Sequence, residues 1–435
     1  GNSCFLNAIL QAFASLRSLE DYLHDNLESM DNVHQRTAHP ILRMPVTEAL
    51  EETLWYLNSS QRKRGANSLA MNAFRPRRIM DALSHNRRIM NLEQQDAQEA
   101  FQMISSALSD EMDVLAKVQR NVSSVHLGRT NSVELARRKA VGPFSGTLAS
   151  RLTCAACGYN EAIRHFPFDN ISLTLPLANQ CLLTDTLASY VDIESLTDVV
   201  CRKCSLKSTK AVYEKRLQAL KLSGNRRVVS VDSSDDDDDY DDDDDDDSSI
   251  ETLSQKLAAV DYALQYDVQA TLPEGIELKR AVSPLMTKQT MIARPPAILC
   301  LHISRSTLTP YGDIIKNRCH VHSPEFLDVT PYCTSGYLQT KHNEMISPLH
   351  DLVMMEAASR GHLYRLQAVV VHYGSHSYGH FITFRRKRSN GTASTSNGLN
   401  QPWYEVSDEI VAQVGSNRVL GANPYMLLYE RVSSA

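Results

Sequence analysis

The sequence predicts an α+β fold in which a helical first third precedes a strand-rich remainder that carries a metal site. Three observations predict it. Apolar residues recur with the helical period through the first 115 residues, and from about residue 144 the period changes to two. Two Cys-x-x-Cys pairs, Cys154/Cys157 and Cys201/Cys204, stand within the second region.

The helical part opens on residues 5–13, where apolar side chains at 5, 6, 9, 10 and 13 share one helix face. A second helical run follows residue 97, with Phe101, Ile104 and Leu108 on one side. Residues 118–140 are polar and basic and read as a loop. Alternation over 144–154 and 171–177 predicts strands, and 185–200 a short helix leading to the second cysteine pair. Residues 296–303 read as a buried strand. Segments 364–373, 379–386, 403–406 and 425–431 complete a strand-rich C-terminal part, with a loop at 389–401.

Composition bounds the function. Hydrophobic residues make up 42% and charged residues 22% of 435, enough apolar content to pack a core and to exclude wholesale disorder. No stretch reaches the ~18 consecutive apolar residues of a membrane span. The chain opens at Gly1 without a methionine and reads as a piece of a longer protein, so an anchor before Gly1 stays open. Residues 232–247 (DSSDDDDDYDDDDDDD) hold 13 of the 51 acidic residues, which leaves 38 against 45 Lys and Arg elsewhere. Such a run repels itself, and 223–256 is expected to be a disordered acidic insertion. The modest positive charge of the rest suits a protein partner and carries no nucleic-acid-binding motif.

Nine cysteines, four of them in Cys-x-x-Cys pairs, point to a metal site in a reducing compartment rather than a disulfide framework. The Asn-x-Ser triplets at Asn58 and Asn170 are then chance matches. Cys154, Cys157, Cys201 and Cys204 are the predicted ligands of one tetrahedral, structural Zn2+, with no position left for water.

Cys4 stands at the start of the first predicted helix. A helix N-terminus favours a thiolate and offers N–H donors to a developing oxyanion. A cysteine at such a place is more often a small buried hydrophobe, so the reading needs a base. His372, His376 and His380 supply candidates. His380 follows Gly379 at the opening of a strand, where the glycine permits close substrate approach. Ser407 and Asp408, at a later strand end, are placed to orient an imidazole.

Gly1-Asn-Ser-Cys-Phe-Leu-Asn-Ala-Ile-Leu-Gln resembles the Cys box of the ubiquitin-specific proteases, and Glu93-Gln-Gln-Asp-Ala-Gln-Glu resembles their Gln-Gln-Asp box. Residues 364–384 resemble the His box, 403–411 its closing segment, and Asn423-Pro-Tyr-Met-Leu-Leu-Tyr-Glu-Arg the last strand. The five landmarks follow the family's order. The resemblance implies a papain-like cysteine peptidase with a helical thumb (1–143), zinc-ribbon fingers (144–295) and a β-rich palm (296–435). It implies Cys4 as nucleophile and His380 as general base. Ubiquitin and ubiquitinated proteins would be the partners, cut after the C-terminal glycine of ubiquitin through a thioester. Gln94 and Asp96 would line the cleft and bind the ubiquitin tail. A helix cap before Ala97 is the rival role for Asp96.

Two positions depart from the family. Its oxyanion-stabilising Asn falls before Gly1, leaving backbone N–H groups near Cys4. Ser407 fills the slot usually held by Asp or Asn, with Asp408 following. That substitution resembles the subgroup at the mitochondrial outer membrane, which implies a catalytic domain on the cytosolic side. Ser407 or Asp408 can orient His380, and the alignment of the slot favours Ser407. These departures sustain an alternative, a ubiquitin-binding pseudoenzyme. A zinc-ribbon scaffold would explain only the four cysteines.

Overall fold

The computed structural model describes residues 4–36, 43–59, 75–84, 96–124, 142–161, 163–227, 250–308, 312–335, 338–347, 362–375, 378–387, 401–408 and 410–432. The acidic run 232–247, His376 and Gln94 lie outside them.

Five helices form the thumb: α1 (Cys4–Phe13), α2 (Arg17–Arg36), α3 (Pro45–Ser59), α4 (Arg77–Ser84) and α5 (Ala97–Ser124). Helix α1 is apolar on nearly every side, which marks it for the interior rather than a surface. Its Phe5, Leu6, Ile9 and Phe13 are buried in one core shared by the thumb and the sheet behind it. Phe13, Phe101 and Phe144 meet ring to ring at centroid distances of 5.0–5.9 Å. Glu111 of α5 accepts the Val46 and Thr47 backbone N–H groups at 2.7 and 2.9 Å, satisfying the open N-terminus of α3. Burial pushes Glu111 above the ordinary carboxylate value, and these bonds oppose it. Helix α5 runs through 118–124, which the sequence suggests as loop. No glycine or proline interrupts 97–124, and Lys117, Gln119 and Arg120 are good helix formers.

The remainder begins with β1 (Gly146–Cys154), β2 (Arg164–Phe168), β3 (Ile171–Thr174), β4 (Gln180–Leu182), α6 (Leu183–Tyr190) and β5 (Glu194–Leu196). Two antiparallel helices follow, α7 (Arg202–Arg227) and α8 (Ile250–Gln265), then β6 (Met286–Arg294). Residues 223–227 and 250–256, inside the expected disordered insertion, are the facing ends of these helices. Leu206 and Tyr213 of α7 bury against Leu253, Val260 and Ala263 of α8, and that packing holds the pair.

The palm adds β7 (Ile298–Ser304), β8 (Ser306–Leu308), β9 (Ile314–Lys316), β10 (His320–His322), β11 (Phe326–Asp328), β12 (Leu363–Gly374), β13 (Gly379–Arg386), β14 (Trp403–Ser407), β15 (Ile410–Val414), α9 (Ser416–Leu420) and β16 (Met426–Arg431). An eight-stranded sheet runs β15-β14-β13-β12-β16-β7-β3, with β11 also paired to β12. Strand β3 joins it parallel to β7, so residues 171–174 lie in the palm sheet. A second sheet, β2-β1-β6-β5, is antiparallel and reaches the cysteine pairs. One face of the large sheet packs on α1. Thr383 of β13 donates its hydroxyl to the Ala8 carbonyl at 2.8 Å, which fixes the first helix against the strand that carries His380.

Candidate active site and four-cysteine cluster

Cys4 is the first residue of α1 and is half-buried against the thumb–palm core. His380 is the second residue of β13, paired across to Tyr373 of β12. Ser407 ends β14 and pairs with Ile410 of β15, and Asp408 follows it in the turn. Asp408 takes φ 47°, the left-handed conformation such turns use and Asp tolerates. This turn sets the serine and the acid side by side.

The Ser407 hydroxyl oxygen lies 2.8 Å from His380 Nε2. Asp408 Oδ2 lies 3.9 Å from the same nitrogen. The His380 and Asp408 side chains are 41% and 49% exposed, so water screens their attraction. Engagement of Nε2 leaves Nδ1 as the ring atom free to exchange a proton with a thiol. Asn7, one turn after Cys4 on α1, donates Nδ2 to Asp408 Oδ1 at 3.3 Å. The contacts Asn7–Asp408–His380 therefore bring the first turn of α1 to the imidazole.

Asp96 is the N-cap of α5. Its Oδ1 accepts the Gln98 N–H at 2.8 Å, and Tyr425, just before β16, donates its hydroxyl to the same carboxylate at 2.5 Å. Gln98 Nε2 donates to Ser172 Oγ at 3.2 Å, and that oxygen lies 3.0 Å from Nδ1 of buried His302. Gly379 owes its identity to its own strand pair. A Cβ there would collide with the Tyr373 carbonyl and the His372 ring. Gln94 lies outside the described residues.

The second cluster sits at the far end of β1. The turn after Cys154 closes with the Gly158 N–H on the Cys154 carbonyl at 2.9 Å, Gly158 taking φ 67°. Cys201 and Cys204 lie at the start of α7, with the Cys201 N–H on the Ala281 carbonyl. The four Sγ atoms all lie within 4.8 Å of one another; Cys154 to Cys204 is 3.9 Å and Cys157 to Cys201 is 3.6 Å. Tetrahedral bonds of ~2.3 Å would separate sulfurs by about 3.8 Å, so this set fits one metal ion. Burial pushes the Cys201 thiol up to about 11 and raises Cys204 further, and neighbouring thiols add to both. Cys154 goes the other way: burial raises it, but bonds from Ser283 and Cys157 bring it down to about 6, and a bound dication would favour the thiolate at each ligand.

The sequence boxes name Cys4, His380, Ser407 and Asp408, and the structure places the last three in one contact group joined to the helix of the first. Asn7, Tyr425, Ser172 and His302 were not singled out. Asn7 carries a local signal, standing three residues after Cys4 on the same helix face. The other three depend on pairing between distant strands.

A helix-start cysteine on a core helix, joined to a His–Ser pair at the ends of neighbouring strands, is the arrangement of a papain-like cysteine peptidase. A family model described as ubiquitin carboxyl-terminal hydrolase matches residues 1–429, and the chain belongs to that family. It is 24% identical to ubiquitin carboxyl-terminal hydrolase 30 of Xenopus tropicalis, over 100% of this chain and 80% of the relative. It is 26% identical to ubiquitin carboxyl-terminal hydrolase 27 of Arabidopsis thaliana, over 99% and 84%. Among solved structures, the SAGA Ubp8/Sgf11/Sus1/Sgf73 DUB module bound to ubiquitin aldehyde aligns with TM-score 0.54 at 18% identity, covering 100% of this chain and 69% of that one. The chain is accordingly a deubiquitinating cysteine protease.

Proposed function

We propose that this protease hydrolyses the bond after the C-terminal glycine of ubiquitin with Cys4 as nucleophile, His380 as general base and acid, and Ser407 as the residue that orients the imidazole. The observation that carries the reading is the 2.8 Å contact between Ser407 and His380 Nε2. In it, His380 takes the Cys4 proton and the thiolate attacks the glycine carbonyl carbon. Free N–H groups of the first turn of α1 receive the oxyanion. His380 then protonates the departing amine, and water, giving its proton to the same nitrogen, releases ubiquitin from the thioester. Asp408, at 3.9 Å, lends charge to the imidazolium.

In this reading Asp96, Gln94 and Gly379 border the path of the ubiquitin tail; residues 1–143 act as thumb, 144–295 as fingers apart from β3 (Ile171–Thr174), which belongs to the palm sheet, and 296–435 as palm. Ubiquitin and ubiquitinated proteins are the partners; the SAGA DUB module structure bound to ubiquitin aldehyde supports this. The four cysteines hold Zn2+ as a structural ion that fixes the start of α7 against β1 and supplies no catalytic chemistry. We place the enzyme at the cytosolic side of the mitochondrial outer membrane, held by a segment outside residues 1–435. Serine in the third position, which resembles the subgroup at that membrane, supports the placement. Among the described residues no helix is long and apolar enough to cross a membrane.

Reaction with ubiquitin bearing a C-terminal electrophile tests the reading. The unaltered protein should form a covalent adduct at Cys4, and Cys4→Ala should form none and lose turnover while still binding ubiquitin. Turnover near the unaltered level in Cys4→Ala would remove Cys4 from the reaction.

A further inference from the structure

We propose that Asn7 is a positioning residue that aims the Asp408 carboxylate at His380 from the nucleophile's own helix. The inference rests on the assignment of Cys4 and His380 above and deepens it. Asp408 has two oxygens with different partners. Oδ1 accepts Asn7 Nδ2 at 3.3 Å, and Oδ2 faces His380 Nε2 at 3.9 Å. A carboxylate held at one oxygen can no longer spin about its last bond, so the other oxygen keeps its direction.

The holder matters because, among the described residues of the turn, Asp408 is the one that carries charge towards Nε2. Ser407 makes the short contact to Nε2 but brings no net charge. Asp408 brings that charge and stands 49% exposed in the turn after β14. An exposed acid in such a turn samples water unless something restrains it. Asn7 supplies the restraint, and α1 is itself clamped to β13 by Thr383 on the Ala8 carbonyl. Cys4 and Asn7 are three residues apart on one helix face, so one rigid turn carries both the nucleophile and the holder of the acid. Asparagine suits the role as a neutral donor. An aspartate there would repel Asp408, and a lysine would compete with the imidazolium for it.

The test is kinetic and chemical together. Steady-state hydrolysis of ubiquitin carrying a C-terminal fluorogenic amide is measured for Asn7→Ala, Asp408→Ala and the double variant. Alkylation of Cys4 by iodoacetamide, followed by mass spectrometry across pH, reports the thiolate–imidazolium pair without ubiquitin. Asn7→Ala should lower kcat roughly two- to fivefold with little change in KM, and no more than Asp408→Ala does, because it acts only through that carboxylate. It should slow Cys4 alkylation near neutral pH by a similar factor, at an unchanged melting temperature. In the Asp408→Ala background the same substitution should do almost nothing. Asn7→Gln, which keeps the amide, should recover part of the loss. The proposal is overturned if the effects of Asn7→Ala and Asp408→Ala multiply, or if Asn7→Ala leaves both kcat and the alkylation profile unchanged. Failure of Cys4→Ala to abolish turnover would instead overturn the underlying assignment, so the two failures are told apart.

Discussion

Ser407 and Asp408 share one hairpin turn yet stand at different distances from His380 Nε2, 2.8 Å for the hydroxyl and 3.9 Å for the nearer carboxylate oxygen. Only the first is a hydrogen bond. The serine therefore fixes the ring, and the acid acts through space across a partly hydrated gap.

This order of contact predicts an order of effects. Ser407→Ala should lower kcat by on the order of tenfold with little change in ubiquitin affinity. Asp408→Ala should cost less, because an exposed charge at that distance contributes ~1 kcal/mol or below. Ser407→Asp should keep activity, since it joins the contact and the charge in one group. Comparison of kcat for the three variants decides it. A Ser407→Ala enzyme at full kcat would take the serine out of the catalytic set.

The cysteine cluster predicts separation of stability from chemistry. Protein purified without chelator should contain one zinc per chain by elemental analysis. Cys157→Ser should lose it and melt several degrees lower, since metal binding is folding energy for such a site. Any fall in kcat should follow from unfolding near β1, β5 and β6 and should be recovered at low temperature. Metal-free purified protein, or a kcat loss at an unchanged melting temperature, would contradict a structural zinc.

Asp96 accepts two bonds of different kinds, a cap on its own helix from the Gln98 N–H and one across to the palm from the Tyr425 hydroxyl. Tyr425→Phe removes only the second and should cost ~1–3 kcal/mol in urea unfolding. Asp96→Ala removes both and should cost ~1 kcal/mol more, the usual worth of a cap. Asp96→Asn keeps capping ability and should fall near Tyr425→Phe. Equal stability of Asp96→Asn and Asp96→Ala would show that the cap contributes nothing here.

The parts of this molecule that were legible in the sequence are those with local causes. Residues 5–13 read as a helix because their apolar positions repeat on one face, and 296–303 as a buried strand because no polar residue interrupts them before His302. The cysteine pairs declared a site by spacing alone. What stayed hidden depends on contacts between distant segments. Helix α7 has apolar residues scattered around its circumference, so no period announces it, and its stability comes from packing on α8 across residues 228–249. Strand β15 is short and mostly exposed, and exists through pairing with β14. The Asp96–Tyr425 bond spans 329 residues and leaves no mark in either neighbourhood.

His302 predicts how the fold responds to acid. It lies on β7, 7% exposed, with Nδ1 bonded to Ser172 and its ring edge-on to Tyr425 at 4.9 Å. Among the described residues Nε2 has no hydrogen-bond partner. Burial lowers the imidazole from its ordinary 6.5 to about 4; Asp96 opposes the shift and Arg305 adds to it. The folded state therefore holds His302 neutral where the unfolded chain would protonate it. Between pH 6.5 and about 4 the unfolded state binds the extra proton, so this contribution is complete above 6.5 and is lost as pH falls through the window. The loss should reach ~2 kcal/mol at pH 5. In His302→Gln the amide can still meet Ser172 but cannot titrate. The variant should be less stable than the unaltered protein at pH 7, through lost packing on Tyr425. That gap should close by ~2 kcal/mol when urea unfolding is repeated at pH 5. A gap that stays constant from pH 7 to pH 5 would show that His302 does not titrate in this window and that the acid sensitivity of the fold lies elsewhere.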